Sequence, residues 1–485
     1  MRVQSLLKLC ATAALAASSY ALSVPRSDST SLEARQNGGP LVFCHFMFDA
    51  QIGIVGNRGS ASDFDADMKA AKAAGIDAFA LNIGVDSYTD QQLGYAYDSA
   101  ANNGMKVFIS FDFNWYHTNQ GAQVGQMIQK YGSKPAQLIV DGKIFASSFS
   151  GDGVDSNAIR SAAGGNVFWA PNFHPQQGTN LGDVDAAFNW MAWPSDGNNK
   201  APKPGSNVTL QDGDNAYLGA LGGKPYLAPV SPWFFTHFGA EVPYSKNWVF
   251  PGDFLWFDRW NQILQLKPRF VEIITWNDYG ESHYVGRLDS PHGDDGNSKW
   301  TYGMPHDGWL DMAQPFIAAY KEGSANPGAH IQEDKIVYWF RPTLSTINCD
   351  ATDTTMGDAD NSTGNYFKGR PDGYQTLQDK VFIVTLLKQA GTLEVTVGGK
   401  TQTFQAAAGA NKFSVDMAPG PISFKVNGLS GNAGMQILDH CPCGIYNFNA
   451  YVGTIPAGSP DELQPAGYSN IMNGLKVSTC GPTGN

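Results

Sequence analysis

Beyond residues 1–21, this 485-residue chain has no apolar run long enough to span a bilayer. It also lacks clusters of Lys and Arg: 44 acidic residues outnumber 32 basic ones, for a net charge of −12. Neutralising phosphates needs such clusters, so nucleic acid is excluded as a partner. No Gly-x-Ser-x-Gly elbow, Walker loop or His-Glu-x-x-His segment occurs. That removes α/β-hydrolase, nucleotide-phosphate and zinc-protease chemistry. Cysteine is scarce, at 6 residues. Cys441-Pro442-Cys443 has no zinc spacing and no accompanying Cys/His pair. Asp358-x-Asp360-x-Ser362 places Gly364 one position late for a calcium loop. No metal, cofactor or membrane partner is expected.

What the chain does have is aromatic: 12% of residues, with 12 Trp and 19 Tyr. Rings stack on the apolar faces of sugars, which fits a carbohydrate partner. Arg2 and Lys8, an Ala/Leu-rich run and Ser19-Tyr20-Ala21 make residues 1–21 a secretory signal. Residues 22–36 read as a pro-segment removed after Arg35. The product is expected outside the cell or in the cell wall, as a monomer. Once Cys10 leaves, Cys44, Cys349, Cys441, Cys443 and Cys480 remain. An odd count leaves at least one thiol unpaired within the chain, and bridges should concentrate after residue 340. Asn207-Val208-Thr209 and Asn361-Ser362-Thr363 are glycosylation acceptors, which places Asn207 and Asn361 on surface loops.

From residue 37 to about 330, apolar runs alternate with helical ones. Strands are expected at 41–48, 76–83, 106–113, 137–145, 167–173, 188–193, 225–230 and 270–276. Helices are expected at 62–74, after a Ser62/Asp65 capping box, and from Thr89 to Asn103, after a Thr89/Gln92 box. Further helices fit 121–131, 154–163, 208–221, 253–266 and 308–322. Eight such units make an α/β fold of the (β/α)8 TIM-barrel type. An open doubly wound sheet is the alternative, but no Gly-rich turn follows the first strand. Residues 331–485 turn to period two, with a Gly398-Gly399 hairpin, and read as a C-terminal β-sandwich domain.

Polar and aromatic residues gather after the strands. His45 follows the first, and Asn82 and Asp86 the second. Asp112 and Trp115 follow the third, and Asn172 and His174 the fifth. Trp193 closes the sixth, and Trp233 and His237 follow the seventh. The last strand runs into Trp276-Asn277-Asp278-Tyr279-Gly280-Glu281-Ser282-His283. Asp278 and Glu281, three residues apart among rings, are the acid and base that glycosidic cleavage needs. Asp112 joins them from the opposite side of the mouth. Carboxyls gathered among rings should split in proton affinity, one of them staying protonated. His45, Asn82, Asp86, Trp115, Asn172, His174, Trp193, Trp233, His237, Trp276, Tyr279 and His283 are then candidate sugar contacts.

Leu41-Val42-Phe43-Cys44-His45-Phe46-Met47, Gly75-Ile76-Asp77-Ala78-Phe79-Ala80-Leu81-Asn82, Phe111-Asp112-Phe113, Trp169-Ala170-Pro171 and the Trp276–Ser282 segment together resemble the fungal glycoside hydrolase family 71. These are the endo-α-1,3-glucanases, or mutanases. The resemblance runs from about residue 40 to about 450. It implies a (β/α)8 catalytic domain backed by a β-sandwich, and hydrolysis of α-1,3-glucan with inversion. It also implies that Asp112, Asp278 and Glu281 are the essential acids. Two other readings remain open: a hydrolase of another α-glucan, and a non-catalytic protein that binds wall glucan.

Overall fold

The computed structural model describes residues 31–48, 55–196, 201–203, 205–238, 246–292, 299–353 and 369–461. The signal segment, most of the pro-segment, Asn361, the 358–364 stretch and Cys480 lie outside the described residues.

Eight parallel strands form one sheet: β1 (Leu41–Met47), β2 (Ala78–Ile83), β3 (Lys106–Asp112), β4 (Lys143–Phe149), β5 (Val167–Pro171), β6 (Ala187–Phe188), β7 (Tyr226–Val230) and β8 (Phe270–Ile273). Their spatial order is β5–β4–β3–β2–β1–β8–β7–β6. The sheet is curled, and hydrogen bonds link the segments that follow its two edge strands. The Asp185 and Ala186 N–H groups donate to Trp169 O at 2.9 and 3.3 Å, and Asn172 Nδ2 donates to Phe188 O at 3.0 Å. Inside the curl, Phe43, Phe108, Phe145 and Phe270 pack with ring centroids 4.7–5.6 Å apart. Each such burial is worth about 1.5–3 kcal/mol. Side chains of opposite parity, such as Val42, Phe46, Phe79 and Leu81, join the outer core beneath the helices.

The helices begin and end close to where the sequence puts them, with two changes. The first is preceded by a 3-10 turn, Ala61–Phe64, and its capping box is Ser60/Asp63 rather than Ser62/Asp65. In the second, Thr89–Asn103, Gln92 makes no cap; its amide donates to Arg58 O at 2.9 Å. Gly104, at φ +63°, closes that helix. Two expectations about strands need correction. The sixth strand is not 188–193 but Ala187–Phe188, so Trp193 lies beyond its end. The fourth strand is not 137–145 but Lys143–Phe149, preceded by the short antiparallel Ile139–Val140. Asp141-Gly142 between them is a two-residue hairpin turn, with φ +50° and +74°. The connection from β5 to β6 carries no α-helix, only the 3-10 turn Pro175–Gln177, which Gly178 ends at φ +84°.

Two helices, Gly121–Gly132 and Ser156–Ala162, touch through Gly125, where a Cβ would sit 2.3 Å from Ile159 O. Gly125→Ala is expected to destabilise the protein by about 1–3 kcal/mol. A urea midpoint equal to wild type would refute this close contact.

Among the described residues, the C-terminal part holds two four-stranded antiparallel sheets. One comprises β9 (Lys335–Phe340), β10 (Lys380–Leu387), β13 (Gly409–Asp416) and β16 (Tyr451–Ile455), ordered β13–β10–β9–β16. The other comprises β11 (Gly391–Val397), β12 (Lys400–Ala406), β14 (Ile422–Val426) and β15 (Leu429–Asn432), ordered β12–β11–β14–β15. Tyr338, Val381 and Ile383 from the first share a core with Leu393, Val395 and Phe424 from the second. Trp339 and Phe382 face the other way and join the core of the α/β part. Gly398 and Gly399, at φ +53° and +78°, make the expected hairpin turn. Cys349 and Cys441 form a disulfide, Cys443 is also disulfide-bonded, and Cys44 is a buried free thiol.

Arg35 lies in the helix Leu32–Gln36 and is buried, with Nη2 2.5 Å from Asp77 Oδ1. Asp77 also binds Lys321 Nζ at 2.7 Å and Val42 N at 3.0 Å. A protease reaches Arg35 only by opening this cluster.

Candidate active site

The loop after β8 is held at both ends. The Trp276 N–H donates to His45 O (2.7 Å), and Asn277 pairs with the Met47 backbone through Oδ1 (2.7 Å) and Nδ2 (3.0 Å). Thr275 N donates to His283 O, and Val285 N donates to Thr275 O. The acids are fixed within this frame. Thr275 Oγ1 accepts from Asp278 N at 2.9 Å, and Asp278 Oδ1 accepts from Glu281 N at 2.9 Å. His283 Nε2 stands 3.1 Å from Glu281 Oε2 and 3.4 Å from Asp278 Oδ2. The His283 ring is fully buried, packed on Trp193 at 5.1 Å and Phe234 at 5.6 Å. Asp278 is 1% exposed, whereas the Glu281 side chain keeps 14%. Ligand atoms of Asp278, Glu281 and His283 lie within 4.8 Å of one another, a spacing that can also hold a cation.

Asp112 ends β3, on the inward parity shared with Phe108, and is 4% exposed. Its Oδ1 accepts from Asn114 N at 2.8 Å. Only β1 and β2 separate β3 from the strand that carries the acid loop. All three carboxylates therefore stand at the C-terminal ends of parallel strands, on one rim.

Other candidates join this rim. Trp115 is 36% exposed, and a Cβ on Gly84 would sit 3.1 Å from its ring and 3.3 Å from Asp86 Oδ2. Burial pushes the half-buried Asp86 carboxyl up. Asn172, His174 and Trp193 line a cavity of about 560 Å³ with Phe149, Trp190 and Tyr217. His174 Nδ1 is 2.6 Å from Asp152 Oδ2. Burial favours protonation of Asp152, yet hydrogen bonds from His174 and Thr179 prevail and bring it down to about 2. His45 and Asn82 are buried on the inner face. Asn207 is exposed.

Four candidates lie elsewhere. Trp276 points outward, with Nε1 2.8 Å from Asp67 Oδ1 and its ring 5.0 Å from Phe79. Tyr279 packs behind the acid loop on Tyr284 and His292. Trp233 donates to Phe448 O at 3.0 Å, at the junction with the C-terminal sheets. His237 is buried between Asn247 and Asp353, each 2.6 Å away. Ring and imidazole chemistry suits a sugar cleft and a core equally, so residue type alone did not separate them. Sequence reading passed over Glu272, 2.6 Å from His45. A lone carboxylate at inward parity in an apolar strand was the available signal.

Behind the loop, His292 and His306 are buried. Burial brings them down to about 4 and about 3, overcoming backbone carbonyls that favour the charged ring. Both are neutral in the fold and titrate near 6.5 when unfolded. Their stability contribution is thus complete above pH 6.5 and lost as pH falls toward 4, at up to about 1.4 kcal/mol per pH unit each. The expected outcome for His292→Asn is an acid slope of stability shallower by about one proton between pH 6.5 and 4.5. Parallel slopes in urea titrations at several pH values would count against it.

Carboxylates clasped by one histidine beside stacked rings are equipped to move protons to and from an oxygen, the work of glycosyl hydrolases. The model of glycosyl hydrolase family 71 matches residues 39–464, and the chain belongs to that family. It is similar to a mutanase of Penicillium rubens, 39% identical over 90% of this chain and 93% of that protein. It is also similar to a glucan endo-1,3-alpha-glucosidase of Schizosaccharomyces pombe, 33% identical over 86% of this chain and 95% of that protein. Among solved structures, a GH99 endo-alpha-mannosidase from Bacteroides thetaiotaomicron matches at a TM-score of 0.40 and 12% identity, over 58% of this chain and 98% of that one. Among the described residues, no helix is long and apolar enough to cross a membrane.

Proposed function

We propose that this chain is a secreted hydrolase of α-1,3-glucan, built on a closed (β/α)8 barrel with a β-sandwich behind it. The His283 clasp on Asp278 and Glu281 carries the reading. The curled sheet, whose spatial order follows chain order, supports the barrel. The shared core of the two C-terminal sheets supports the sandwich. The activities named for the relatives support the substrate. The disulfide and the exposed Asn207 acceptor support secretion.

Glu281, the more exposed acid, donates the proton to the leaving oxygen. Asp278 takes a proton from the attacking water, and Asp112 supports the charge that develops on the sugar. Inversion requires roughly 6.5–9.5 Å between the two carboxyls. Their nearest oxygens lie within 4.8 Å in the free site. Inversion then requires Glu281 to turn away from His283 as the glucan enters, opening room for the water. The expected result with purified protein and α-1,3-glucan is reducing sugar whose first-formed anomer, read by proton NMR, is β. An α anomer first would reject inversion. Release only from other α-glucans would move the substrate.

A further inference from the structure

The inner face of the curled sheet changes character at one level. Its lower side chains are apolar: Leu41 and Phe43 on β1, Ala78 and Ala80 on β2, Phe108 on β3, Phe270 on β8. One inward position further along each strand stand His45, Asn82, Ser110 and Glu272. All four are buried. The registers make them neighbours: His45 pairs with Ala80, Met47 with Asn82, Asn82 with Ser110, and Phe43 with Glu272.

His45 Nδ1 is 2.6 Å from Glu272 Oε1. Among the described residues, none bonds His45 Nε2, either polar atom of the Asn82 amide, Ser110 Oγ or Glu272 Oε2. Buried polar atoms without partners oppose folding, so a patch of them points to a ligand or to bound water. The patch adjoins the acid site. The His45 ring meets the edge of half-buried Trp190 at 4.8 Å, and Trp190 lines the cavity and lies 6.4 Å from His283.

We propose that this floor is a subsite for the hydroxyls of the glucosyl unit beside the cleaved bond, contacted by the Asn82 amide and His45 Nε2, with Glu272 as the residue that positions His45. The inference rests on the hydrolase reading and deepens it. A sugar hydroxyl both donates and accepts, and a primary amide offers both roles in return. Where the Glu272 carboxylate accepts the hydrogen bond of Nδ1–H, the Nε2 lone pair is left to accept from a second hydroxyl. A floor built to bond hydroxyls discriminates strongly against sugars that lack them.

The test uses the full chain, soluble α-1,3-linked glucooligosaccharides and two readouts. Asn82→Ala is expected to lower kcat/KM roughly 10–100-fold while Tm stays level or rises, because an unpaired buried amide is removed. Glu272→Gln is expected to raise KM severalfold with little change in kcat, and to add nothing in a His45→Ala background. If Asn82→Ala keeps wild-type kcat/KM, the floor holds water alone and the inference fails while the hydrolase stands. A lowered Tm with unchanged activity per folded molecule makes Asn82 structural and likewise overturns it. A wild-type chain that cleaves no α-1,3-linked substrate removes the hydrolase reading and this inference together.

Discussion

Glu281→Gln is expected to lower kcat on α-1,3-glucan by roughly 10²–10⁴-fold, the share of rate that a positioned proton donor supplies. The amide keeps the size of the carboxyl and can still meet His283 Nε2, which now lies 3.1 Å from Glu281 Oε2. With 14% of the side chain exposed, the substitution leaves no buried charge stranded. Tm is therefore expected to stay near wild type. Asp278→Asn is expected to give a loss of similar size. It disturbs the loop more, because Asp278 Oδ1 accepts the Glu281 N–H and its side chain is buried. Retained activity in Glu281→Gln, measured as reducing ends released per folded molecule, would remove the assigned proton donor.

Asp67→Ala is expected to cost about 3–5 kcal/mol of stability. Asp67 lies on the helix Asp65–Ala73 and is buried. Its Oδ2 is 2.7 Å from Arg58 Nη1, and both side chains are at most 2% exposed. Its Oδ1 accepts from Trp276 Nε1 at 2.8 Å, and Ser290 Oγ donates to it at 2.9 Å. Removing the carboxylate leaves the Arg58 charge buried without its counterion, its guanidinium 4.2 Å from the Phe64 ring centroid. It also releases Trp276, two residues before Asp278. Misplacing a catalytic group by about 1 Å costs on the order of 100-fold in rate. A drop in kcat is therefore expected along with the drop in stability. Asp67→Asn, which keeps an acceptor for Trp276, is expected to recover more kcat than stability. A urea midpoint for Asp67→Ala within error of wild type would show that the ion pair does not support the loop.

Much of this architecture was legible along the chain because it rests on local periodicity. Strand runs such as Leu41–Met47 and Lys106–Asp112, and helices closed by Gly104, follow from alternation and capping chemistry that a short window contains. The failures have the same origin. The Asp141-Gly142 hairpin divided one apolar run between two strands, and of the run at 188–193 only Phe188 remains in a strand, Ala187–Phe188. Asp278, Glu281 and His283 share one short loop, so their association was readable from sequence. Trp276, Tyr279, Trp233 and His237 had the right chemistry but the wrong direction. Side-chain direction at a loop or strand end depends on which neighbour arrives to pack against it.

By itself, the order of residues determined the alternation of strands and helices, the excess of acid over base, and the placement of the Asp278–His283 loop after an apolar strand. Only the tertiary structure decided which rings line the cavity and which face the core. It alone joined His45 to Glu272, 227 residues away in sequence. Those outcomes depend on the curl of the sheet and the register between its strands. Both are sums over contacts distant in the chain, and no local window holds them.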